Sequence, residues 1–123
     1  MKLRIKGNTI RLRLTQSEVD TLSNGIVEDR TQFPGGNALV YKIQSAEQFD
    51  VDFNNGTVLI SLPTKHVQDW ASSDKIEIAN SIELENNERL EISIEKDFKC
   101  LTERPKEDEL DMYPNPLGKH AKC

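Results

Sequence analysis

Residues 3–22 and 51–70 carry the same apolar pattern at a constant offset of 48. Leu3 answers Val51, Ile5 answers Phe53, Ile10 answers Val58, Leu12 answers Ile60, Leu14 answers Leu62, Val19 answers Val67 and Leu22 answers Trp70. A pattern that recurs at fixed spacing makes each copy one supersecondary unit, whose apolar face must be buried against another unit. The expected fold is therefore built from two similar pieces.

Within LRIKGNTIRLRL, apolar and polar residues alternate around Gly7-Asn8, the signature of a hairpin with one apolar and one basic face. Thr15 is placed to cap a helix over Gln16–Ser23, with Glu18 completing a capping box and Val19 and Leu22 on one stripe. Asn24-Gly25 closes this helix. A strand over 26–33, a turn at Pro34–Asn37 and a strand from Ala38 to Gln44 follow.

The second copy reads as Phe49–Phe53, the turn Asn54-Asn55-Gly56, and a strand Thr57–Leu62. Pro63 suits the start of a helix running to about Ser72, with Val67 and Trp70 inward. Lys75–Leu84 and Arg89–Glu95 are two further strands joined by a polar turn. Each half is thus hairpin, helix, hairpin.

The pattern predicts a mostly β fold with two short helices. Its two β-hairpin–helix–β-hairpin repeats, over about residues 1–45 and 48–96, would build one pseudo-twofold, barrel-like domain spanning 1–96. The expected core is Leu3, Ile5, Ile10, Leu12, Leu14, Val19, Leu22, Val51, Phe53, Val58, Ile60, Leu62, Val67 and Trp70. From Asp97 the periodicity stops, and residues 97–123, with three of the five prolines, read as an irregular C-terminal tail packing on the domain, pinned in part by Phe98, Leu101, Met112 and Tyr113.

Composition narrows the function classes. The first residues place a charge at nearly every second position, which fits neither a signal peptide nor a membrane span and points to a cytoplasmic location. A net charge of −5 and a pI near 5.1 disfavour wholesale binding to nucleic acid. The charge is unevenly spread, since residues 1–14 hold five cations and no acid, while residues 44–95 hold eleven acids against three cations. Such separation allows head-to-tail association, with a monomer or weak homodimer expected.

The segment NGTVLISLPTKHVQDWASSDKIEI resembles the swapped-hairpin barrel family of transition-state regulators and antitoxins. Gly56, Leu62, Pro63, Val67, Trp70 and Asp74 to Ile78 occupy the family's places, whereas the first copy has Thr15 instead of the proline and Asn24-Gly25 instead of the Gly-Asp turn. The resemblance implies a barrel that two chains build in that family and one chain builds here. IRLRLTQSEV and EKDFKCLTERPKEDELDMYPNP also resemble a small bacterial family of unknown function.

Two residue groups are candidates for a site. Lys2, Arg4, Lys6, Arg11 and Arg13 form a compact basic patch on a regular hairpin, suited to an anion or an acidic partner. Internal acids, Asp50 and Asp52 or the run Glu107 to Asp111, are alternative partners for it. Cys100, His120 and Cys123 combine thiolate and imidazole, the chemistry that suits zinc, although no Cys-x₂-Cys pair is present and no cofactor is otherwise expected. No residues form a catalytic or phosphate-cradling motif. The expected role is a non-enzymatic protein-binding or regulatory module. The alternatives are a DNA-binding regulator using the basic hairpin and a metal-binding protein using the C-terminal Cys and His.

Overall fold

In the computed structural model, which describes residues 1–98, the first alternating segment forms β1 (Lys2–Lys6) and β2 (Thr9–Leu14), paired antiparallel and closing on Lys6 opposite Thr9. Helix α1 (Gln16–Ser23) starts at Thr15 with both halves of a capping box, Thr15 N donating to Glu18 Oε1 at 2.9 Å and Glu18 N donating to Thr15 Oγ1 at 3.4 Å. β3 (Ile26–Gln32) and β4 (Ala38–Ala46) form a second hairpin around a 3₁₀ turn at Pro34–Gly36.

The remaining elements follow in the same order: β5 (Asp50–Asn54), β6 (Thr57–Pro63), α2 (Thr64–Ala71), β7 (Glu77–Glu83) and β8 (Arg89–Lys96). The β5–β6 turn places both Asn55 and Gly56 at positive φ, the conformation whose twist matches the flanking strands. Pro63 ends β6 and caps α2 rather than opening it, so the helix starts at Thr64.

The strands fall into two four-stranded sheets, ordered β1-β2-β8-β7 and β3-β4-β6-β5, and no closed barrel is found among the described residues. Each sheet joins two hairpins through a central parallel pair, β2 with β8 and β4 with β6. Parallel neighbours cannot be joined by a tight turn, so these central pairs draw on distant parts of the chain.

The core fills the space between the sheets and the two helices, which also pack on each other. Leu12, Leu14, Leu22, Ile43, Leu62, Val67, Trp70 and Ile94 are sealed from solvent, each such side chain stabilising the fold by roughly 1.5–3 kcal/mol of apolar burial. Trp70 combines burial with a satisfied polar end, since its Nε1 donates to the carbonyl of Ile76 at 2.9 Å. The Lys96 ammonium lies 5.7 Å from its ring centroid.

Two residues expected in the core are outside it. Ile5 is 55% exposed and Phe53 69% exposed, while Leu3 and Val51 are partly buried against the core. Ile5 and Phe53 lie on edge strands β1 and β5, next to the hairpin tips, where one neighbouring strand and little else covers them. Their cross-strand partners Ile10 and Val58 are buried because β8 and β4 flank them on the other side. Phe98, expected to help pin the segment after β8, is exposed as well, and Leu101, Met112 and Tyr113 lie outside the described residues.

Candidate functional site: a basic edge strand

Alternation along β1 and β2 sends Leu3, Ile10, Leu12 and Leu14 toward the core and leaves the cations on the opposite face. Cross-strand register then sets Lys2 opposite Arg13 and Arg4 opposite Arg11. Like charges directly opposite one another are unfavourable, and the arrangement seeks anions.

Three of the five cations find them within the chain. Arg13 Nε donates to Glu95 Oε1 at 3.3 Å, and Arg11 Nε lies 3.1 Å from Glu95 Oε2. That second contact is coulombic, because Arg11 Nε is buried and out of line for a hydrogen bond. Ser93 Oγ donates to Glu95 Oε2 at 3.1 Å, which holds the carboxylate between the two guanidinium groups. The Lys2 ammonium lies 3.2 Å from Asp97, whose backbone N donates to Leu14 O.

The anticipated internal partners Asp50 and Asp52 do not take part: they lie on β5, in the other sheet. Glu107 to Asp111 lie outside the described residues, as do Cys100, His120 and Cys123. Glu95 and Asp97 were not anticipated. Their proximity to the basic hairpin follows from the parallel β2–β8 register, which puts Arg13 beside Glu95, and no local pattern announces that pairing.

Among the described residues, Arg4 and Lys6 make no ion pair. Together with Thr9 and Arg11 they line an open hollow of about 260 Å³ on the outer face of the sheet. A second hollow, of about 460 Å³, adjoins it through Thr9 and Arg11 and is lined also by Glu77, Ser81, Arg89 and Glu91, so it is mixed in charge. The first is one-signed. Three cations around a hydroxyl offer charge-assisted hydrogen bonds to a carboxylate or phosphate oxygen.

β1 is also an edge strand. Every second residue of such a strand leaves its main-chain donor and acceptor unpaired along the open side. The site is therefore a strand-shaped ledge with a basic outer face.

The serines and the histidine nearest to reactive chemistry have ordinary surroundings. Gln44 Nε2 donates to Ser61 Oγ at 2.9 Å, Ser93 serves Glu95, and His66 and Ser17 are exposed on the helices. No helix of the described residues is long and apolar enough to cross a membrane.

A model of a family of unknown function (DUF7009) matches residues 1–117. No curated protein and no solved structure matches the chain.

Proposed function

From a chain that belongs to this family of unknown function, we propose a non-enzymatic, cytoplasmic protein-binding module that takes an extended acidic segment of a partner along β1. The observation that carries this reading is the coincidence, on one edge strand, of open main-chain groups with the unpaired Arg4 and Lys6 over a one-signed hollow. Main-chain pairing gives such a contact its affinity, and the alternating cations select for carboxylates.

The reading includes a pseudo-twofold, swapped-hairpin arrangement of a domain over 1–96 with a separate C-terminal segment 97–123. It is supported by the exchange of hairpins, in which the first hairpin pairs with the last and the two middle hairpins pair with each other. The same exchange favours a second reading, DNA binding through the basic hairpin, because the regulators this arrangement resembles act on duplex DNA. The acidic net charge and the absence of aromatic residues on the basic face weigh against it.

The test is fluorescence anisotropy with a labelled Glu/Asp-rich peptide and a labelled DNA duplex, against the full chain and its R4E/K6E variant. Saturable, salt-sensitive binding of the peptide that the variant loses is the expected result. Peptide binding unchanged by the variant would sink the β1 site, and duplex binding lost with the variant would move the reading to DNA.

A further inference from the structure

The edge strand of the other sheet is the charge complement of β1. At the positions 48 residues on from Lys2 and Arg4, β5 carries Asp50 and Asp52, both exposed and, among the described residues, without an ion pair. We propose that the acidic segment taken by β1 is β5 of a second copy of this chain. This rests on the reading of β1 as a ledge for an acidic strand, and it names the partner.

Register supports the match. In an antiparallel pairing that sets Arg4 opposite Asp52, Lys6 falls opposite Asp50, so these two cations of one copy, without an ion pair among the described residues, meet two such acids of the next. Shifting by two residues in either direction loses one of those pairs. On the opposite face the same register sets Ile5 opposite Val51 and Leu3 opposite Phe53, which covers the exposed apolar side chains of both edge strands, Ile5 and Phe53.

Hydrogen-bond phase agrees. A two-residue turn closes on a pair that exchanges hydrogen bonds, here Lys6 with Thr9 and Asn54 with Thr57. The cations of β1 and the acids of β5 therefore spend their main-chain groups inside their own sheets. Leu3, Ile5, Val51 and Phe53 leave theirs at the open edges, where this register pairs them.

The other edges with acids fit less well: Glu28 and Asp29 of β3 are adjacent and already face Lys42 and Met1. β7 presents Glu77 and Glu83 six residues apart, and Glu83 already lies 3.5 Å from Arg89. Among the described edge strands, only β5 offers acids two residues apart, the spacing of Arg4 and Lys6. Because β1 and β5 lie in different sheets, the contact is heterologous and one copy can hold a neighbour at each edge.

Sedimentation velocity on the full chain tests this with two variants, R4D/K6D and D50K/D52K, each checked for its fold by circular dichroism. The wild type is expected to associate with rising concentration and to dissociate with added salt. Each variant alone should associate at least about tenfold more weakly, because its two edges then carry the same sign. Mixed, the variants should associate again, since each supplies the edge the other lacks. A wild type that stays monomeric at low salt, variants that associate like the wild type, or a mixture that stays monomeric would each overturn the proposal. Peptide binding lost in R4D/K6D would then still support the β1 ledge, leaving another protein or the chain's own residues 107–111 as its occupant, whereas peptide binding unchanged by that variant would remove both readings.

Discussion

The Glu18 carboxylate lies 2.6 Å from the Met1 amino group, which ties the start of β1 to the first turn of α1. Burial works against the charge on both groups. For Met1 the hydrogen bond and charge of Glu18, with the Asp29 charge at 3.5 Å, outweigh it and hold the amine above its ordinary 8.0. For Glu18 the Met1 amine and the donors of Thr15 outweigh it and hold the carboxyl below its ordinary 4.5.

A pH dependence of stability follows. The lowered Glu18 contributes stability that is present above 4.5 and lost as pH falls through its folded value. The raised amine contributes stability that is present below 8.0 and lost as pH rises through its folded value. Urea midpoints of the wild type and E18Q should differ most between these limits, by about 1 kcal/mol, and converge outside them. A constant difference across the range would show that the charge on Glu18 is not what stabilises the contact.

Glu95 restrains the basic face that it sits beneath. Changing it to Gln removes the carboxylate from Arg11 and Arg13 and should cost about 1 kcal/mol in thermal or urea unfolding. The same change should tighten binding of an acidic peptide about fivefold, equivalent to ~1 kcal/mol, because Arg11 lines the hollow and loses its internal anion. Unchanged peptide affinity would place the binding surface elsewhere.

Apolar residues of the core and of the sheet edges should respond unequally. Leu12 is fully buried, and Leu12→Ala is expected to cost ~2–5 kcal/mol. Ile5→Ser and Phe53→Ser, at exposed edge positions, should stay within about 0.5 kcal/mol under dilute, monomeric conditions. Chemical denaturation of the three variants side by side checks the ordering.

The glycines of the two-residue hairpin turns, Gly7 and Gly56, also differ. Gly7, at φ +56, has open space where a Cβ would stand, and Gly7→Ala should cost about 1 kcal/mol of backbone strain alone. Gly56, at φ +76, would place a Cβ 2.9 Å from the carbonyl oxygen of Ala38. Gly56→Ala therefore has to displace β4 from β6 as well and should cost more than ~2 kcal/mol, read from the unfolding midpoint.

Most of the local structure was legible in the chain. Alternation around Gly7-Asn8 and Asn54-Asn55-Gly56 identified two hairpins, and Thr15 with Glu18 identified a capping box that is present. What local pattern does not carry is which hairpin lies beside which. Arg13 meets Glu95 only through the β2–β8 pairing, so the local pattern points to Asp50 and Asp52 as internal partners of the basic patch while the fold supplies Glu95. Ile5 and Phe53 were misplaced for a related reason. They alternate in phase with Leu3 and Val51, and only position along an edge strand separates covered from exposed.

The pairing order of the strands sets a sequence of events during folding. All four strands of the sheet β3-β4-β6-β5 lie between Ile26 and Pro63, so its partners are close along the chain and can meet while the C-terminal part is still being synthesised. The other sheet joins β2 to β8, and its central register brings Arg13 to Glu95 across the length of the domain. Closing so large a loop costs entropy before any contact repays it. The nascent chain therefore carries the basic hairpin as an open-edged ribbon until β8 emerges, and β8 is the element whose arrival completes the sheet β1-β2-β8-β7.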